Sequence, residues 1–191
     1  LIMVQSRAVV HAIVHDYTER KLAEDRSAAF SELGQKLSEV TKPVQAAEVI
    51  VEMADRLIGW DACFLDLLAT DIEQKIFSDN QVLPLVHYDI IGRDKLLVPF
   101  ATKYVEPGTY SYRAITEGPQ LVLRKKSESS ESGFRFGDEG RISASLMFVP
   151  IRTSAKAIGI LSIQSYRENA YAQQDLETLC YLAEHCSGAL E

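Results

Sequence analysis

The last third of the chain constrains the fold more than any other part. Two short apolar runs, Ser145-Leu-Met-Phe-Val-Pro-Ile and Ala157-Ile-Gly-Ile-Leu-Ser-Ile-Gln-Ser, flank the polar stretch Thr153-Ser-Ala-Lys. Such runs, closed by a turn, predict antiparallel strands over Ser145–Ile151 and Ala157–Tyr166. Leu176, Leu179, Ala183, Cys186 and Leu190 then recur three and four apart, which predicts a helix running to the end of the chain. No internal repeat is visible.

Upstream, Ala8 to Val14 is apolar with little helical period and reads as a buried strand, followed by Asp16-Tyr17-Thr18. A helix is predicted over Thr18–Val40, where Ala23, Arg26, Phe30, Leu33, Leu37 and Val40 form a seam with one charged member. Thr41 as N-cap and Pro43 in the first turn open a second helix. Val44, Ala47, Val51, Ala54 and Ile58 mark its apolar face, and Gly59 ends it. Asp61–Leu68, apolar on both faces, reads as a central strand. Gln74–Leu83, Leu96–Phe100 and Gln120–Leu123 are further strand candidates, and Tyr110–Thr116 is a short helix. Arg124–Gly140, rich in Ser, Glu, Lys and Gly, is a long loop.

Composition narrows the function classes. The 191 residues are 47% hydrophobic and 25% charged, enough for one sizeable core. No run of about 18 apolar residues exists. A net charge of -7 without a basic stripe argues against nucleic acid and against anionic membrane surfaces. Cys63, Cys180 and Cys186 do not form a disulfide framework, and reduced thiols in a cytoplasmic protein are expected. The chain starts at Leu1 without a signal-peptide pattern and reads as a piece of a longer protein.

The Ser-Leu-x-x-Val-Pro-Ile and Ile-Gly-Ile-Leu-Ser-Ile strands, the Asn169, Tyr171 and Asp175 loop into the last helix, and Ala114-Ile-Thr-Glu-Gly-Pro-Gln together resemble a GAF domain over residues 42–191. One departure is Ala172, where many members carry a capping Ser or Thr. Asn169 or Asp175 is then expected to supply part of the cap. The string ending in Asp16-Tyr17-Thr18 is similar to the C-terminal end of a PAS domain, which assigns residues 1–17 to a PAS remnant and 18–41 to a signalling linker helix. The resemblance implies an α+β fold with a central antiparallel sheet of about six strands. The N- and C-terminal helices would cover one face, and loops and short helices would cover a pocket on the other. It also implies a bacterial multi-domain signalling protein of the sensor-kinase kind, acting as a homodimer.

A cyclic-nucleotide site resembling the phosphodiesterase type needs an Asn-Lys-Phe-Asp-Glu pattern, of which only Asn169 and Asp175 align. Bilin attachment needs a pocket-side Cys, whereas the only His-Cys pair, His185-Cys186, rides the final helix. Of the four histidines, His11 and His15 share i,i+4 spacing but on a predicted strand, and His87 beside Tyr88 is the one near the pocket side. A methionine-sulfoxide reductase of this family needs accessible low-pKa cysteines, which an apolar strand and the final helix do not offer. No Ser-His-Asp or P-loop pattern stands out. The fragment itself is therefore expected to be a non-enzymatic sensory module with an unidentified ligand and no assigned cofactor or metal. The alternatives are a structural dimerisation spacer and, more weakly, the reductase. The expected pocket residues are Tyr110, Tyr112, Arg113, Arg141, Ser143, Ser145, Ser162 and Gln164. Arg113 and Arg141 could clamp an anion, or pair with Glu117 or Asp138. The expected dimer seam is Phe30, Leu33, Leu37, Leu179, Ala183, Cys186 and Leu190, with Cys186 near its mate.

Overall fold

The computed structural model describes residues 4–68, 81–99, 103–125, 141–154 and 156–190. Two helices, α1 (Val4–Glu39) and α2 (Pro43–Leu57), lead into β1 (Ala62–Leu68), β2 (Gln81–Ile91), β3 (Asp94–Leu97) and the two-residue β4 (Lys103–Tyr104). The helix α3 (Tyr110–Glu117), β5 (Gln120–Leu123), β6 (Ser145–Thr153), β7 (Lys156–Ser165) and α4 (Gln173–Cys186) follow, with a 3-10 turn at Ser187–Ala189. The strands form one antiparallel sheet in the order β3-β2-β1-β7-β6-β5, with β4 added on β2. β1 lies in the middle, as its two-sided apolar run requires.

Side chains alternate across the sheet and divide the core into two layers. Cys63 and Leu65 of β1, Met147 and Val149 of β6, and Leu161 and Ile163 of β7 face α1, α2 and α4. Phe64, Leu146, Phe148 and Ile160 face the other way and meet Ala114 of α3. The helices supply the first layer from periodic stripes. Ala29 and Leu33 come from α1, Ala47, Ile50, Val51 and Ala54 from α2, and Leu179, Leu182 and Cys186 from α4. Trp60 donates its indole N–H to the Val51 carbonyl at 3.0 Å and pins the α2–β1 junction. Gly59 turns there at φ 83°, a conformation only glycine takes without strain.

Several expectations need correction. Ala8–Val14 is helical, as part of one uninterrupted α1, and not a strand. A short apolar run cannot by itself be assigned to helix or strand. His11 and His15 thus share a helix at i,i+4, though their side chains lie outside the described part. The N-cap position of α2 is Lys42, without a side-chain cap, and not Thr41; Val44 is exposed. The second strand spans Gln81–Ile91, beyond the expected Leu83, and residues 74–80 lie outside the described residues. Residues 126–140 of the expected long loop lie outside them too. The third strand is Asp94–Leu97, earlier than Leu96–Phe100.

The expected dimer seam is spent inside the chain. Leu33, Leu179 and Cys186 are 0% exposed, Ala183 1% and Leu190 3%, all within the helix-side core. Phe30 and Leu37 pack on its rim, with the Phe30 ring 5.1 Å from that of His185. Spacing identified a buried face, but the cover comes from the chain itself. Arg26 of α1 reaches across to hydrogen-bond Thr178 of α4, which accounts for the charged member of the seam. Among the described residues, no helix is long and apolar enough to cross a membrane.

Candidate functional site

The sheet face turned away from the helical layer carries a row of buried polar side chains. Asp66 comes from β1, His87 and Asp89 from β2, and Ser162 and Gln164 from β7. Burying such groups costs free energy unless they are hydrogen-bonded. His87 Nε2 and Asp66 Oδ1 share a hydrogen bond of 2.6 Å, with 2% and 10% of the two side chains exposed. A register shift lies beside the pair. Leu65 pairs with Val86 but Asp66 pairs with Pro84, so Leu85 is an extra residue in β2. The Phe64 ring, directly across from His87, lies 5.4 Å from the imidazole. Gln164 donates to Ser162 Oγ at 3.4 Å.

A second network closes one end of this row. Tyr166 donates its hydroxyl to Asp89 Oδ1 at 2.6 Å. Arg141 donates to the Ile90 carbonyl, lies 3.7 Å from Asp89 Oδ2 and covers the Tyr166 ring at 4.3 Å. Asp61 Oδ2 accepts from Ser165 Oγ at 2.6 Å and from the Tyr166 N–H at 2.8 Å. The loop after β7 is thereby tied to the ends of β1 and β2.

The eight expected pocket residues divide. Ser162 and Gln164 lie in the polar row, and Tyr110 stacks on Phe148 with centroids 5.6 Å apart. Tyr112 packs beside the same apolar cluster. Arg141 belongs to the Asp89 network. Arg113 is exposed and pairs with Glu117 at 3.2 Å, so it clamps nothing on this face. Ser143 offers its carbonyl to Arg124 at 2.9 Å. Ser145 shares the strand parity of Met147, on the helix side. Its hydroxyl donates to the Arg167 carbonyl at 2.8 Å and accepts the Ala170 N–H at 2.9 Å. It fastens the loop into α4 and does not belong to the far face. Asp66 and Asp89 escaped the sequence reading. The available signal was the polar pair His87 and Asp89 in an otherwise apolar run.

The loop into α4 solves its missing cap with Asp175, whose carboxylate accepts the Ala172 N–H at 2.8 Å. Asn169 stands at φ 51° in the turn before it.

The thiols are unsuited to nucleophilic work. Burial pushes the Cys63 thiol strongly up, and Cys63 and Cys186 lie in the helix-side core. Cys186 is raised to about 12 by burial, and Cys180 to about 11 by burial with Glu184 and Glu177 adding to it. A thiolate is the reactive form, and burial disfavours it. Among the described residues, no group of three or more His, Cys, Asp or Glu side chains could hold a metal ion.

A family model described as "GAF domain" matches residues 42–191. No curated protein matches the chain. Among solved structures, the GAF domain from a phosphoenolpyruvate-protein phosphotransferase of Coxiella burnetii is similar at TM-score 0.64 and 15% identity, covering 88% of this chain and 94% of that one. Free methionine-R-sulfoxide reductase from Neisseria meningitidis, solved in complex with its substrate, is similar at TM-score 0.63 and 15% identity, covering 86% and 87%. A GAF domain named for a sensor histidine kinase of Pseudomonas syringae pv. tomato is similar at TM-score 0.58 and 15% identity, covering 92% and 91%. At these identities the likeness establishes the fold alone.

Proposed function

Given that the chain belongs to the GAF-domain family, we propose that it is a sensory module. It binds a small molecule on the sheet face opposite the helical layer and relays occupancy through its terminal helices. The observation that carries this reading is the buried polar row of Asp66, His87, Asp89, Ser162 and Gln164. A purely structural sheet face would be more stable filled with apolar side chains. Relay requires a ligand that prefers one arrangement of the domain over another. α4 packs on the back of the same sheet, and α1 packs on α2 and α4, so both are placed to feel it.

The chain acts in the cytoplasm as a homodimer, in a bacterial multi-domain signalling protein whose output domain lies outside this sequence. The helical course of Ala8–Val14 leaves the expected PAS remnant without the strand that Asp16-Tyr17-Thr18 would end. The seam residues named above are already covered, so the dimer uses the outward surface of α1 ahead of Ala29, where Ala23, Ser27 and Ala28 are exposed. The fragment has no catalysis of its own. The raised thiol pKa values argue against thiol-based reduction of methionine sulfoxide.

A spacer reading has one observation in its favour. Phe64, Leu146, Phe148, Ile160 and Ala114 pack into a compact apolar cluster on the same face. Thermal denaturation across a metabolite library separates the two. A ligand present at 100 times its dissociation constant adds about 2.7 kcal/mol to stability. A hit of that size supports the sensor, and a flat response to the whole library supports the spacer.

A further inference from the structure

The buried polar row has a chemical bias that narrows the ligand. Asp66 sits in the middle of the sheet, between Pro84 of β2 and Ile160 of β7 in register, an apolar setting for a carboxylate. Its Oδ1 is engaged by His87. Among the described residues, no hydrogen bond reaches Oδ2, although an ionised carboxylate offers about four acceptor positions. One-tenth of the side chain stays exposed, so the carboxylate is not sealed from solvent. The bulge at Leu85 exists at this point of the β1–β2 ladder and nowhere else along it, and bulges of this kind re-aim side chains beside functional sites.

Among the described residues, four arginines of the surrounding elements are committed elsewhere. Arg113 pairs with Glu117, Arg124 donates to the Ser143 carbonyl and Arg152 to the Ile115 carbonyl. Arg141 is bound to the Ile90 carbonyl, over Tyr166 and beside Asp89. Among the described residues, the charged and titratable groups on this face beside Asp66 are His87 and, further along β2, Asp89. An anion placed here would meet a carboxylate in a poorly solvated site, whereas a cation or an N–H donor would be attracted. The apolar side chains on the same face include aromatic rings. Phe64 and Phe148 stand edge to face with centroids 6.1 Å apart, and Tyr110 stacks on Phe148. Aromatic faces favour a cation or an apolar ring.

We propose that the Oδ2 side of the Asp66–His87 pair anchors the ammonium or N–H group of a small amine whose apolar body packs on Phe64 and Phe148. This rests on the sensory reading above and gives it a ligand class. Of the two sequence alternatives for Arg113, an anion clamp or a pair with Glu117, the structure shows the pair.

The test uses two probes with the same body and opposite heads, phenethylamine and 3-phenylpropionate, titrated into the full chain and followed by NMR of the aromatic and His87 ring signals. Saturable shifts at Phe64, Phe148 and His87 with the amine, and none or about tenfold weaker binding with the carboxylate, support the proposal. Asp66→Asn keeps the shape and an acceptor for His87, and should weaken amine binding about tenfold to a hundredfold, the loss of one charge-assisted hydrogen bond. The two-probe comparison on the unaltered chain stands even where that variant folds poorly. Equal or tighter binding of 3-phenylpropionate overturns the proposal, as does unchanged amine affinity in folded Asp66→Asn. Absence of binding by both probes overturns it as well. The metabolite library then decides the wider reading separately. A hit of another chemistry keeps the sensor and drops only the amine, while no hit drops both.

Discussion

Gly159, in the middle of β7, gives the account a signed and quantitative test. An added Cβ there would lie 2.7 Å from the Asp66 carbonyl oxygen, 3.2 Å from Leu67 Cδ2 and 3.4 Å from Ile151 Cδ1. The first contact is with backbone of the central strand, which cannot rotate away. Gly159→Ala must therefore push β7 off β1, and overpacking of this kind costs about 1–3 kcal/mol. Against it stands the gain of about 0.5–1 kcal/mol for replacing a strand glycine by alanine. The net expectation is a loss of about 0–2.5 kcal/mol, centred on about 1 kcal/mol, which is about 2–4 °C in Tm for a chain of this size. Gly34→Ala is the matched control. Gly34 lies inside α1 with nothing within 4 Å of its added Cβ, so the same substitution should stabilise by about 0.5–1 kcal/mol. Both variants are measured by urea denaturation and calorimetry. A Gly159→Ala protein more stable than the parent, moving in the same direction as Gly34→Ala, would refute the packing of β7 against Asp66.

Ser145→Ala should cost about 1–3 kcal/mol, because it strands the Arg167 carbonyl and the Ala170 N–H, a loss readable as a lower urea midpoint. Leu179→Ala, at a fully buried position of α4, should cost about 2–5 kcal/mol; a loss below 1 kcal/mol would mean that α4 does not close this core. The native thiols should resist Ellman's reagent at pH 8, with all three reacting after denaturation. The same thiols set an alkaline limit. Cys180 and Cys186 hold their protons to about 11 and about 12 in the fold, against 9.0 when unperturbed. The unfolded chain therefore binds fewer protons above pH 9. Stability is intact below that pH and should fall as pH rises beyond it; a flat profile from pH 9 to 11 would contradict their burial.

The parts legible in the sequence were those where one pattern had one physical meaning. The β6–β7 pair announced itself through two long apolar runs around a polar turn, and α2 through Pro43, its stripe and Gly59. β2 was only half seen. Pro84, His87 and Asp89 break its apolar pattern, and two of these, His87 and Asp89, belong to the buried polar row. The site thus obscured the strand that carries it. Asp66 was invisible as a site residue because a single carboxylate in an apolar run does not reveal which side chain of the neighbouring strand it will meet. The terminal helices show the opposite limit. The spacing of Leu33, Leu179 and Cys186 correctly marks a buried face, but periodicity does not encode whose side chains cover it. Arg113 and Arg141 have the same formal charge, and only their neighbours, Glu117 for one and Asp89 with Tyr166 for the other, separate a surface ion pair from a structural tie.

The most direct test of the central claim is to map where a stabilising hit from the metabolite library binds, by assigning the aromatic and methyl signals of both core layers. The account predicts perturbations centred on Phe64, His87 and Phe148, with smaller, relayed changes at Leu33 and Leu179. Perturbations centred on the helical layer, with Phe64, His87 and Phe148 unmoved, would contradict it.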